Sequence, residues 1–168
     1  MDSSSLALSL FVHIVATVVY IGGLLVTVLL VFPEVRRVID GQPAFYRVLS
    51  RLRQRFYPMS NLCLAALWVT GLFQMTADPN YDGFLTFEND WSRIMLVKHI
   101  LIVGMMAAGV ALQYGVAPQL ERVSLLMEHS KGDPAVWQRL RRVEVRLTAL
   151  LAVLGVAVLA CSAAATAL

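Results

Sequence analysis

This 168-residue chain has three histidines, and two of them, His13 and His99, fall inside long apolar runs. An ionisable side chain at membrane depth is costly, turns toward the bundle interior and is by default a functional group. With the spans drawn below, His13 lies about seven residues into the first and His99 about six residues past Arg93 in the third, so each sits roughly 9–10 Å below the same surface at 1.5 Å per residue. Two imidazoles at one depth on two helices point to a shared ligand, and iron of a b-type haem is the leading expectation. A CxxCH signature is absent from the sequence, so such a haem would be held without covalent attachment.

The neighbours of both histidines suggest inward-facing stripes. Ser9, His13, Thr17, Tyr20 and Thr27 share one face of the first span, and Met95, His99, Met106 and Gln113 share one face of the third. Polar groups on these faces would be costly against lipid, so both stripes should face inward. Lys98 and Arg93 occupy the outer end of the third span, where a lysine can extend toward the surface and pair with haem propionates. Thr17, Tyr20 and Met106 complete the expected cofactor environment. Met95, Met105 and Met106 read as packing residues in preference to copper ligands, because methionine is a common gap-filler.

The elements that must position these groups are membrane helices. Hydrophobic residues make up 58% of the chain and the mean hydropathy is +0.70, a composition of a small polytopic membrane protein. A span needs about 20 mainly apolar residues. Residues 6–32, 57–75, 94–117 and 147–168 qualify, within one domain over residues 1–168. The first run lacks a basic start, carries Asp2 and is too long for the core of a signal peptide, so it is expected to stay in the protein.

Charge sets the expected orientation. Of the 14 lysines and arginines, all but Arg93 and Lys98 lie in the segments between spans one and two and between spans three and four. The positive-inside rule places those segments in the cytoplasm. Both termini and the acidic loop with Asp78, Asp82, Glu88 and Asp90 are then periplasmic, in a bacterial inner membrane. The pI of about 9.1 follows from arginines flanking spans, so nucleic acid is not an expected partner. The lipid bilayer is, and further membrane-complex subunits or a quinone are candidates.

Both basic segments read as amphipathic helices. Phe45, Leu49, Leu52 and Phe56 recur at helical spacing, on a helix that lies on the membrane surface or extends the second span, with Pro58 as a kink. Lys131-Gly132-Asp133-Pro134 reads as a stop and restart, with Asp133 as N-cap. Asp78-Pro79-Asn80 reads as a turn, and Tyr81, Phe84, Phe87 and Trp91 as interfacial aromatics. Gly22 and Gly23 read as close-packing positions. His129 reads as a solvated surface residue. Cys63 and Cys161 fall toward opposite membrane faces, which excludes a disulfide between them.

Three short runs carry a resemblance. His13-Ile-Val-Ala-Thr-Val-Val-Tyr20-Ile-Gly22-Gly23, Thr70-Gly71-Leu72 and Trp91-Ser-Arg93-Ile-Met-Leu-Val-Lys98-His99 resemble the copper-resistance protein D (CopD) family of integral membrane proteins, over roughly residues 10 to 125. Tyr20 stands where that family usually has tryptophan. The resemblance implies copper uptake or periplasmic copper handling. In layout the chain is also similar to HemJ-type protoporphyrinogen oxidases, with His13 and Lys98 at the matching positions.

The expectation is therefore an all-α, four-helix transmembrane bundle that holds haem b between His13 and His99 and performs one-electron transfer, alone or as a small subunit of a respiratory or photosynthetic complex. Two axial histidines leave no open iron position for catalysis. Copper handling and a HemJ-like oxidase are the alternatives.

Overall fold

The computed structural model describes residues 3–39, 43–79, 81 and 89–167. Among these the chain is all-α. Helix α1 (Ser3–Val26) passes through a π-helical turn (Thr27–Val31) into α2 (Phe32–Ile39); α3 spans Pro43–Ala77; α4 (Asp90–Val110) passes through a second π-helical turn (Ala111–Val116) into α5 (Ala117–Glu128); α6 spans Pro134–Thr166. Four of the resulting continuous helical stretches are long and apolar enough to cross a membrane. The protein is a membrane protein, and its environment is the lipid bilayer. Phe11, Ile14, Val18, Leu62, Val69, Ile100 and Val153 all stand exposed on the outside of the bundle, where lipid tails cover them at no desolvation cost.

The helices alternate in direction. Ser9 meets Gln74 and His13 meets Thr70, so α1 and α3 are antiparallel. On the other side α4 packs along α6, with Gly104 against Leu154 and Trp91 beside Ala165. Ile21 of α1 rests on Gly155 of α6 and ties the two pairs together. The central core of Ala16, Tyr20, Leu24, Met105, Leu112 and Leu151 fills the seam between the pairs. The bundle thus has a histidine end and an arginine-rich end.

Both π-turns have a proline shortly after them. Pro33 and Pro118 follow the two turns closely. A proline has no N–H to give the preceding turn and its ring crowds the carbonyl four residues back. A one-residue widening of the helix relieves that crowding, and such turns often mark functional positions. The sequence reading did not anticipate either turn.

At the arginine-rich end the basic segment before the second span does not lie flat. It is the first third of α3, which runs on through Pro58 without interruption. Phe45 and Leu49 are buried there against Leu120 and Trp137. Arg53 and Glu144 are both buried and paired, with Arg53 Nη1 donating to Glu144 Oε1 at 3.2 Å; Arg141 also pairs with Glu144, and Arg53 lies 3.6 Å from Glu121. These pairs keep the charges compensated where they leave water.

The restart before α6 follows the sequence reading. Asp133 Oδ1 accepts the Ala135 N–H at 2.8 Å, and Pro134 opens the helix. Ser130 adopts φ 57° in the preceding turn. At the histidine end, Asn89 caps α4 by accepting the Ser92 N–H at 2.6 Å. Tyr81 N donates to Asp78 O at 3.1 Å, closing the expected turn. Trp91 is buried with Met75 and Ala165. The expectations for Asp2, Asn80, Asp82, Phe84, Phe87, Glu88 and Leu168 lie outside the described residues.

Candidate functional site

The polar stripe of α1 faces α3, as a stripe avoiding lipid must. Gln74 Nε2 donates to Ser9 Oγ at 3.3 Å, and His13 Nδ1 lies 2.8 Å from Thr70 Oγ1. The tautomer of His13 follows from the chain of contacts. Thr70 has one hydroxyl proton, and it is directed to Ala66 O at 2.6 Å. Its oxygen therefore accepts from His13, so Nδ1 carries the proton and the lone pair is on Nε2. His99 Nδ1 lies 2.6 Å from Met95 O, which can only accept. His99 is therefore the same tautomer, with its basic nitrogen at Nε2. Fixing Nδ1–H on a second group is the usual way a protein orients a histidine for a metal.

Both rings line one cavity of about 90 Å³ at the histidine end. Thr17, Tyr20 and Lys98 line it too, as do Met75, Met95 and Met105. Gly71 backs the His13 ring: a Cβ there would stand 3.5 Å from His13 Cε1, so little more than a methyl group fits. Ser162 of α6 and Trp68 of α3 close the wall. Among the described residues that line it there is no carboxylate.

Not every expected residue is at this cavity. Arg93 is exposed and pairs with Asp90 at 3.1 Å. Met106 faces outward from the cavity, and its sulfur accepts the Trp68 Nε1–H at 3.1 Å; the wall uses Met105 instead. Gln113 belongs to a second cavity, where it exchanges amide hydrogen bonds with Asn61 at 2.8 and 2.9 Å. His129 caps the end of α5, exposed, with Nδ1 2.8 Å from Leu125 O. Cys63 and Cys161 are free thiols. Gly23 does serve close packing, against Phe56, whereas Gly22 has nothing within 4 Å of where a Cβ would stand.

Thr70, Trp68, Met75 and Ser162 were not singled out as site residues from sequence. Thr70 and Gln74, one turn apart in an apolar helix, were the available signal. Both are polar and must find partners away from lipid.

The family model of copper resistance protein D matches residues 50–165, well over half of the chain. The chain belongs to the copper resistance protein D family. The matched stretch holds Thr70, Met75, Met95, Lys98, His99 and Met105; His13 precedes it. Among curated proteins and among solved structures, nothing matches.

This membership overturns the expectation of a haem b electron carrier. The family points to copper, which the sequence reading held as its alternative. The dimensions of the site agree with the correction. A cavity of about 90 Å³ is well below the roughly 300–1,000 Å³ of pockets that hold organic cofactors. Arg93 and Met106, expected beside the cofactor, both lie outside it. The physical reason for the error is that depth alone does not say what a pair of buried histidines holds.

Proposed function

We propose that this copper resistance protein D family member binds Cu(I) at the histidine end and passes it across the membrane. His13 and His99 supply Nε2, and the sulfurs of Met75, Met95 and Met105 are the soft donors beside them. The observation that carries this reading is the composition of the cavity wall: two oriented histidines, three methionines and, among its described residues, no carboxylate. Thioether and imidazole select Cu(I), whereas hard dications require oxygen ligands. Lys98 in the wall gives a dication further reason to stay out. Among the described residues no three of His, Cys, Asp and Glu come together, so a full donor set has to draw on methionine sulfur.

The arginine-rich end faces the cytoplasm and the histidine end the periplasm of a bacterial inner membrane. The placement of all lysines and arginines except Arg93 and Lys98 supports this orientation. Copper then enters from the periplasmic side.

The test is Cu(I) binding to the purified protein in detergent, measured by competition with a chromogenic Cu(I) chelator under reducing conditions. One equivalent should bind. His13→Ala and His99→Ala should each weaken binding at least tenfold, and His129→Ala should leave it unchanged. Equal affinity in all four proteins would overturn the assignment.

A further inference from the structure

A second cavity, of about 200 Å³, lies at the arginine-rich end. Its wall differs in kind from that of the first. It holds oxygen and amide groups from Tyr57, Ser60, Asn61, Gln113, Glu144 and Thr148, and no imidazole or thioether among the described residues. Both π-turns open onto it, through Thr27 and through Leu112, Gln113 and Tyr114. Arg53 reaches this wall 7% exposed, with its Nε buried and lacking an acceptor among the described residues. A buried N–H of that kind is normally met by an ordered water. Its charge does not bar a cation, because Arg53 and Arg141 are matched by Glu121 and Glu144.

The two cavities share two wall residues, Tyr20 and Leu64. Tyr20 is 4% exposed and stands in the wall common to both cavities, while Ser60 lines the second. One side chain of α1 and one of α3 thus stand between a space at each end of the bundle.

We propose that the two cavities are successive stations of one route through the bundle, with Tyr20 as the septum that separates them. The inference rests on the copper reading for its cargo and on the shared wall for its path. The donor sets give the route a direction. Imidazole and thioether capture Cu(I) at the histidine end, while the hydroxyl, amide and carboxylate oxygens of the second station hold it weakly and release it. Rotation of the Tyr20 ring out of the shared wall joins the two spaces. A tyrosine ring turns about two side-chain torsions, so no helix has to move for the route to open.

Accessibility to a membrane-impermeant thiol reagent tests the septum without any cargo. In full-length protein carrying Cys63→Ala and Cys161→Ala, reconstituted in vesicles of known sidedness, Ser162→Cys reports the first cavity and Thr148→Cys the second. With Tyr20 in place each should react from its own side only. Adding Tyr20→Ala should make at least one reporter react from both sides, with the far-side rate rising tenfold or more. Tyr20→Phe, which keeps the ring, should remain one-sided. Leu64→Ala gives a second opening variant should Tyr20→Ala fail to fold. If a folded Tyr20→Ala or Leu64→Ala protein keeps both reporters one-sided, the septum is refuted.

Cu(I) flux separates the two claims. Tyr20→Trp, which enlarges the septum, should slow Cu(I) entry into vesicles at least tenfold per Cu(I) bound. Loss of binding in the unmodified protein with the labelling pattern intact would remove copper as cargo and leave the route. Copper binding with flux unaffected by Tyr20→Trp would remove the route and leave the binding site.

Discussion

His13 Nδ1 and Thr70 Oγ1 are 2.8 Å apart, and the Thr70 hydroxyl proton is already directed to Ala66 O. This pair joins α1 to α3 and fixes which nitrogen of His13 faces the cavity. Thr70→Val removes the acceptor at constant shape. Loss of such an orienting partner typically costs 10–100-fold in metal affinity. We expect Cu(I) affinity to fall by about that factor in Thr70→Val and to be kept in Thr70→Ser, by chelator competition. An unchanged Thr70→Val would mean that His13 is not held for a metal.

Gly71 limits the space beside the same ring, with ordinary contact already reached by a Cβ at 3.5 Å from His13 Cε1. Gly71→Ala should therefore bind copper normally. Gly71→Leu should displace the ring and lower affinity at least tenfold while the helical circular dichroism stays the same. Equal binding in the two variants would place the His13 ring elsewhere.

Glu144 is buried and serves two arginines, Arg53 and Arg141. Removing one partner of a buried pair leaves a charge uncompensated, at a cost of about 3–5 kcal/mol. Glu144→Ala should lower stability by that order in denaturation by a mixed-detergent titration. Arg53→Met combined with Glu144→Leu should recover part of the loss, because no lone arginine from that pair remains. A Glu144→Ala protein as stable as the wild type would show that the cluster is hydrated well enough to need no pairing.

The turn before α6 is set by Gly132, where a Cβ would lie 2.8 Å from the Met127 backbone nitrogen, and by the Asp133 cap. Overlap with backbone cannot be relieved by a side-chain rotation, so Gly132→Ala should cost about 1–3 kcal/mol. Asp133→Ala should cost about 1 kcal/mol and Asp133→Asn very little. The same denaturation assay reads all three. Copper binding at the distant histidine end should be unaffected in each.

Orientation is checked by reporter fusions. A fusion at Gly132 should be active only as a cytoplasmic reporter, and one at either terminus only as a periplasmic reporter, because arginine-flanked ends are retained inside. The reverse pattern would invert the direction of the proposed copper route while leaving both cavities as they are.

The sequence by itself determined the class of the protein. Four long apolar runs can do little else than cross a bilayer as helices, since lipid offers backbone groups no partner. The same cost made His13 and His99 stand out, and the same local chemistry made Asp133 a legible cap. Which residues meet was decided only by the tertiary structure. A helical stripe has an uncertainty of a residue or so, enough to exchange Met106 for Met105 and to send Gln113 to a different cavity. Met75, Trp68 and Thr70 come from α3 and Ser162 from α6, and no spacing within α1 or α4 encodes their arrival. The π-turns depend on how each chain resolves the crowding at Pro33 and Pro118, and straightforward α-helical periodicity does not register that choice. The makeup of the cavity followed from neither depth nor periodicity: His13, His99 and three methionines reach one wall only once four helices are packed together.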